Sequence, residues 1–110
     1  MQMRVLVSFN RHHYAYGDAI ARAIGCCRPH LEVSVAGSEG LDAAVSRVRP
    51  DVVISDRPKS AFAASAAWVE VPPRPDVVAR ICVGGRSRTS RNPSLSEMLS
   101  VVDEAESISA

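Results

Sequence analysis

Pro50-Asp51-Val52-Val53-Ile54-Ser55-Asp56 places an unbroken apolar run between a proline and a terminal carboxylate. A run of this kind, without alternation, reads as a strand covered on both faces, as in a parallel sheet. In an open parallel sheet, ligands gather at the carboxyl ends of the strands, and this segment delivers Asp56 there.

Toward the N-terminus, Arg4-Val5-Leu6-Val7-Ser8 has the same unalternating character and makes a second central strand. Between the two strands lie two helical patterns and one alternating segment. Tyr16, Ile20, Ala23 and Ile24 recur at helical spacing from Tyr14 to Cys26, and Pro29 stops the pattern. Leu31, Val33 and Val35 alternate with Glu32 and Ser34, as in a strand near a sheet edge. Leu41, Ala44, Val45 and Val48 form an apolar stripe, with Ser38 as the expected cap and Pro50 as the stop. The order strand, helix, strand, helix, strand argues for a parallel sheet with right-handed crossovers.

The sequence beyond Asp56 is less regular. An alanine-rich stretch from Lys59 to Ala67 has room for a short helix, and Ala67-Trp68-Val69-Glu70-Val71 reads as a fourth strand. Pro72-Pro73-Arg74-Pro75 leaves no room for a helix before the next strand, Val77 to Val83. Gly84-Gly85 fits a type I′ hairpin turn into Arg86-Ser87-Arg88-Thr89-Ser90, which sets Val83 opposite Arg86 and Ile81 opposite Arg88. That register mixes apolar groups with arginine unless the arginine stems lie along the apolar surface. Ser94-Leu95-Ser96-Glu97 is a capping-box pattern opening an amphipathic terminal helix with Leu95, Met98, Leu99, Val102 and Ala105 on one side. The expected architecture is a three-layer α/β domain spanning residues 1–110, with strand order 2-1-3-4 and an antiparallel hairpin edge.

Composition narrows the function classes. Thirteen basic against 12 acidic residues give a formal charge of +1, which provides no global field for nucleic acid or an anionic membrane. No apolar run reaches membrane-spanning length and no charged leader precedes the first strand, so a soluble cytoplasmic protein is expected. Three cysteines, two of them adjacent, argue against a disulfide scaffold, and Cys26-Cys27-Arg28-Pro29-His30 lacks a zinc site's ligand count and spacing. One of the adjacent pair is expected to be buried and the other exposed. No nucleophile elbow surrounds any serine, and no glycine-rich loop has phosphate-cradling spacing. Catalysis, a cofactor and a resident metal are therefore not expected.

The segments Val5-Leu6-Val7, Leu31-Glu32-Val33, Ser38-Glu39-Gly40-Leu41 and Arg49 through Asp56 resemble the receiver domain of two-component response regulators over about half the chain. The resemblance implies a flavodoxin-like sheet in which Asp56 occupies the phosphoacceptor position. It also implies a magnesium-binding acidic pair after the first strand, but Phe9 and Asn10 stand there and cannot supply two anionic oxygens. No Ser or Thr ends the fourth strand, and the family's lysine falls on Asn92. Without the metal most of the charge stabilisation of phosphoryl transfer is lost. The chain thus resembles a standalone pseudo-receiver, a regulatory module acting through protein–protein contact and independent of phosphorylation. The alternatives are an atypical phospho-receiver modified at Asp56, and a small-ligand-binding protein or enzyme using the strand ends.

For that last alternative the pocket candidates are Ser8, Phe9, Asn10 and His12 beside Asp56. Against a ligand role, Asp56 can simply cap the turn through Arg57-Pro58-Lys59, and His12 and His13 are expected as solvated loop residues. Tyr14 and Tyr16 should divide between surface and core. Arg80, Arg86, Arg88 and Arg91 form the one local concentration of charge. A basic sheet edge discourages sheet-to-sheet aggregation. As an interaction surface, the hairpin and last helix would suit a protein partner or a homodimer ahead of nucleic acid, for which interleaved aromatics are missing.

Overall fold

The computed structural model describes residues 3–58, 65–72, 77–91 and 93–109. Residues 59–64 of the alanine-rich stretch, 73–76 of the proline segment and Asn92 lie outside that set, as does the short helix expected at Lys59. Six strands, β1 (Arg4–Phe9), β2 (Glu32–Gly37), β3 (Val52–Ser55), β4 (Ala67–Glu70), β5 (Ala79–Val83) and β6 (Arg86–Ser90), share one mixed sheet in the order β2-β1-β3-β4-β5-β6. Among the described residues three α-helices, α1 (Tyr14–Cys27), α2 (Leu41–Val48) and α3 (Leu95–Ser109), accompany them.

The first four strands are parallel. From β1 the chain steps outward to β2, then returns past β1 to β3. Right-handed crossovers in opposite directions put α1 and α2 on opposite faces. The pleat then divides β1: Val5, Val7 and Phe9 join the core under α1 and α3, while Leu6 packs with Leu41 and Ala44 of α2 and with Val53 and Trp68. All four residues of β3 are buried, which explains its unbroken apolar run.

The face of α1 that meets the sheet differs from the expected stripe. Gly17, Ile20, Ala21 and Ile24 are buried, while Tyr14 and Tyr16 are about half exposed, at 51% and 47%. Gly17 makes the close approach: a Cβ there would lie 2.7 Å from Cδ2 of Phe9. Tyr16 instead leans against Phe9 from outside, edge to face at 5.5 Å. Both Cys26 and Cys27 are exposed, because the last turn of α1 extends past its buried face.

Ser38 does not cap α2. It opens a 3₁₀ turn, Ser38–Gly40, which puts Gly40, without a side chain to cap with, at the cap position of α2. At the other end Arg49 closes α2 in the left-handed region at φ 52°.

Only eight residues separate β4 from β5, too few for a parallel crossover. Accordingly β5 already runs antiparallel to β4, and β6 to β5. Val77 and Val78 are exposed, so β5 begins at Ala79 rather than at Val77. The hairpin turn has positive φ at both glycines, 56° at Gly84 and 84° at Gly85, as type I′ requires. Val83 pairs with Arg86 and Ile81 with Arg88, the register read from the turn. The mixed face is resolved by α3, whose Glu104 meets the Arg88 guanidinium at 3.3 Å and whose Glu97 accepts a 2.5 Å hydrogen bond from Ser90. Glu97 is thus diverted from the capping box, and only the Glu97 N–H to Ser94 Oγ half forms, at 3.2 Å.

Candidate functional site at the strand ends

Parallel pairing of β1 with β3 sets Ser8 beside Ser55, so the loops after both strands leave the sheet side by side. Asp56 follows Ser55 and turns back toward β1. Its N–H donates to the Ser8 carbonyl at 3.4 Å, and its Oδ2 accepts the Asn10 N–H at 3.0 Å. Its other oxygen, Oδ1, is buried with no hydrogen-bond partner among the described residues. The turn after β3 is capped by Ser55, whose Oγ accepts the Arg57 N–H at 3.1 Å. Among the described residues this turn is capped by Ser55, while Lys59, where the turn expected of Asp56 ends, lies outside them; Asp56 itself ties the β1 exit to the β3 exit.

Asn10 works as a cap. Its Oδ1 accepts the N–H groups of His12 at 2.9 Å and His13 at 3.2 Å, which starts the 3₁₀ turn Arg11–His13 leading into α1. The ring Nδ1 of His13 lies 3.1 Å from the same oxygen. This Asx geometry is local and satisfies two of the donors that a helix start leaves open. Phe9 points away from the site into the core under α1, and His12 is exposed on the turn. Of the five sequence candidates, the structure ties Asp56 to Asn10 and to the Ser8 backbone, sends Phe9 into the core, and leaves His12 joined to Asn10 through its backbone N–H on an exposed turn. Ser8 is fully buried and its hydroxyl has no partner among the described residues.

An open cleft of about 370 Å³ lies beside this point, between the start of α2 and the β3 exit. Ser38, Glu39 and Asp42 line one side, Arg57 and Pro58 the other. Ser38 is 3% exposed and its hydroxyl is unpartnered among the described residues. Sequence reasoning passed over Ser38 and Arg57 as site residues, because a serine before a helix signals a cap. Behind the cleft, Trp68 Nε1–H donates to the Arg57 carbonyl at 2.9 Å, fixing the β3 exit to β4.

The four arginine candidates do not share one surface. Arg86 and Arg88 lie on the α3 side of β6, while Arg80, flanked by the buried Ala79 and Ile81, projects from the opposite face. Arg91 is exposed just beyond the strand. Among the described residues no group of three His, Cys, Asp or Glu side chains converges as metal ligands would, and no helix is long and apolar enough to cross a membrane. No protein family, curated protein or solved structure matches the chain.

Proposed function

We propose that this chain is a receiver-like regulatory module that acts through protein contacts without phosphoryl transfer. The carrying observation is what stands in the positions where a receiver holds its cation. Phe9 is 3% exposed within the core, and Asn10 spends its side-chain oxygen on two backbone N–H groups. Neither offers an anionic oxygen, and Asp56 alone is a weak magnesium site. Phosphoryl transfer without the cation leaves the charge on the transferring group unneutralised. The parallel order β2-β1-β3-β4, with Asp56 at the carboxyl end of β3, supports the receiver-like half of the reading. The antiparallel β5 and β6 replace the element a receiver would use to report its state.

The test is intact mass after incubation with a small-molecule phosphodonor and magnesium, comparing the natural chain with Asp56→Ala. No phosphoryl gain in either protein is expected. A gain abolished by the substitution would make this an atypical phospho-receiver instead.

The buried, unpartnered hydroxyl of Ser38 favours a second reading, small-ligand binding in the neighbouring cleft, whose volume is at the lower end of small-molecule sites. Amide shifts confined to Ser38 and Arg57 in a fragment screen would support it, and a screen that leaves both unmoved would remove it.

A further inference from the structure

β6 ends the sheet, and among the described residues its outer edge has no strand partner. The hairpin register decides which of its backbone groups are free. In a two-residue type I′ hairpin the residues flanking the turn exchange both hydrogen bonds, and every second pair does the same. Arg86, Arg88 and Ser90 therefore spend their N–H and C=O groups on Val83, Ile81 and Ala79. Ser87 and Thr89 direct theirs outward, where an added strand would find them.

The side chains flanking this edge are not neutral to what docks. A groove of about 560 Å³ runs between β6 and the end of α3, bordered by Val83, Arg86, Arg88, Glu104 and Ile108. Ile108 is 56% exposed and reaches the hairpin turn, its Cδ1 lying 2.9 Å from where a Gly84 Cβ would sit. Arg88 is partly neutralised by Glu104, but Arg86 has no ionic partner among the described residues, and Arg91 adds a third cation beyond the strand. Natural sheets commonly protect an edge with proline, a bulge or a covering helix. The described β6 has neither proline nor bulge, and its guard is arginine alone.

That guard is selective. A second copy pairing antiparallel through β6 about a two-fold axis at Ser87 would set Arg86 opposite Arg88 twice, and like charges directly opposite are destabilising. An acidic strand meets the same arginines as counter-ions. We propose that β6 accepts an extended, acidic segment of a partner protein as an added strand, bonded to the outward groups of Ser87 and Thr89, with its carboxylates on Arg86 and Arg88 and an apolar residue over Val83 and Ile108. The proposal rests on the reading of the chain as a protein-contact module and names the chemistry of the partner.

The probe is a short fluorescent peptide with one valine and two glutamates at alternate positions and threonine between them, so that all three face the Arg86, Arg88, Val83 and Ile108 side of β6; it is titrated by anisotropy against the full chain at low salt, beside a control with lysine in place of glutamate. Saturable binding of the glutamate peptide alone is expected. Ser87→Pro removes one outward donor while leaving the ladder to β5 intact, and should weaken binding about tenfold. Arg86→Glu needs no backbone change and should reverse the preference toward the lysine peptide, which keeps the proposal testable should Ser87→Pro unfold. Equal binding of both peptides, no saturation, or glutamate-peptide affinity unchanged in Arg86→Glu would overturn it. The mass experiment on Asp56 reads none of this, so the proposal and the phosphorylation-independent reading can fail separately.

Discussion

β3 and β6 belong to the same sheet and obey opposite rules. All four residues of β3 are buried, whereas β6 has four exposed residues and one half-buried. The contrast follows from how each strand is reached. Parallel neighbours need helical crossovers, and the crossover helices α1 and α2, together with the C-terminal α3 on the α1 side, cover both faces of β1 and β3. β5 and β6 are reached by an eight-residue connection and a two-residue turn, which bring no helix among the described residues. One face of β6 borrows the flank of α3 through Arg88 and Ser90, and the other, carrying Ser87 and Thr89, is left to water. The parallel half is thus held by apolar burial, and the hairpin half by turn chemistry and charged contacts.

Trp68 is where the halves meet, and its removal should have the largest effect. It is 1% exposed in the α2-side cluster and bonds the β3 exit through Nε1. Trp68→Ala should cost about 3–5 kcal/mol in urea unfolding, combining lost burial with a cavity. Trp68→Phe keeps most of the apolar surface and strands the Arg57 carbonyl, so about 1–2 kcal/mol is expected. If the two substitutions cost the same, the hydrogen bond and not the burial joins the halves.

The hairpin should respond to backbone chemistry where the parallel half responds to volume. Gly84→Ala forces a side chain to φ 56° and against Ile108, at a cost of about 1–2 kcal/mol. Arg49→Gly is the mirror case in the parallel half. It relieves a left-handed arginine at φ 52° and should stabilise by up to about 1 kcal/mol, read in the same urea series. Destabilisation by Arg49→Gly would mean that the exposed arginine contributes more than its backbone strain costs.

The parallel half was legible because its signals are apolar and local: two unalternating strands, an alternating edge strand, and stripes stopped by Pro29 and Pro50. The hairpin was equally legible, since consecutive glycines fix both turn type and register. The features that escaped are those in which a tertiary contact overrides a local signal. Gly17 carries no hydrophobic mark, yet it is the residue that lets α1 sit on Phe9. Ser38 looks like a cap but is buried behind a 3₁₀ turn, and Glu97 leaves its capping box for Ser90. The four arginines form one cluster in sequence, yet alternation along β5 and β6 assigns Arg80 to the opposite face from Arg86 and Arg88. At the strand ends, the position of Asp56 could be read from sequence. Its bond to the Asn10 N–H could not, because that depends on where two loops leave the sheet.

The seam between the halves has a charged component as well, and here the smallest effect is expected. Arg28, just after α1, makes a bidentate pair with Asp103 of α3, Nε to Oδ1 at 3.0 Å and Nη2 to Oδ2 at 2.9 Å. The hydrogen bonds to Arg28 hold the Asp103 carboxyl below its ordinary range, and Asp103 in turn raises the guanidinium. A carboxyl whose pKa is depressed by folding contributes stability above its unfolded value, near about 3.9, and loses it as pH falls through the folded value. The natural chain should therefore outlast Asp103→Asn by a small, constant margin at neutral pH, and the two Tm curves should converge below about pH 4. Both side chains are substantially exposed, so salt should shrink the margin. Curves that stay parallel to low pH would assign the seam to the apolar contacts of Met98, Val101, Val102 and Ala105 alone, extending the rule of the parallel half across the whole molecule.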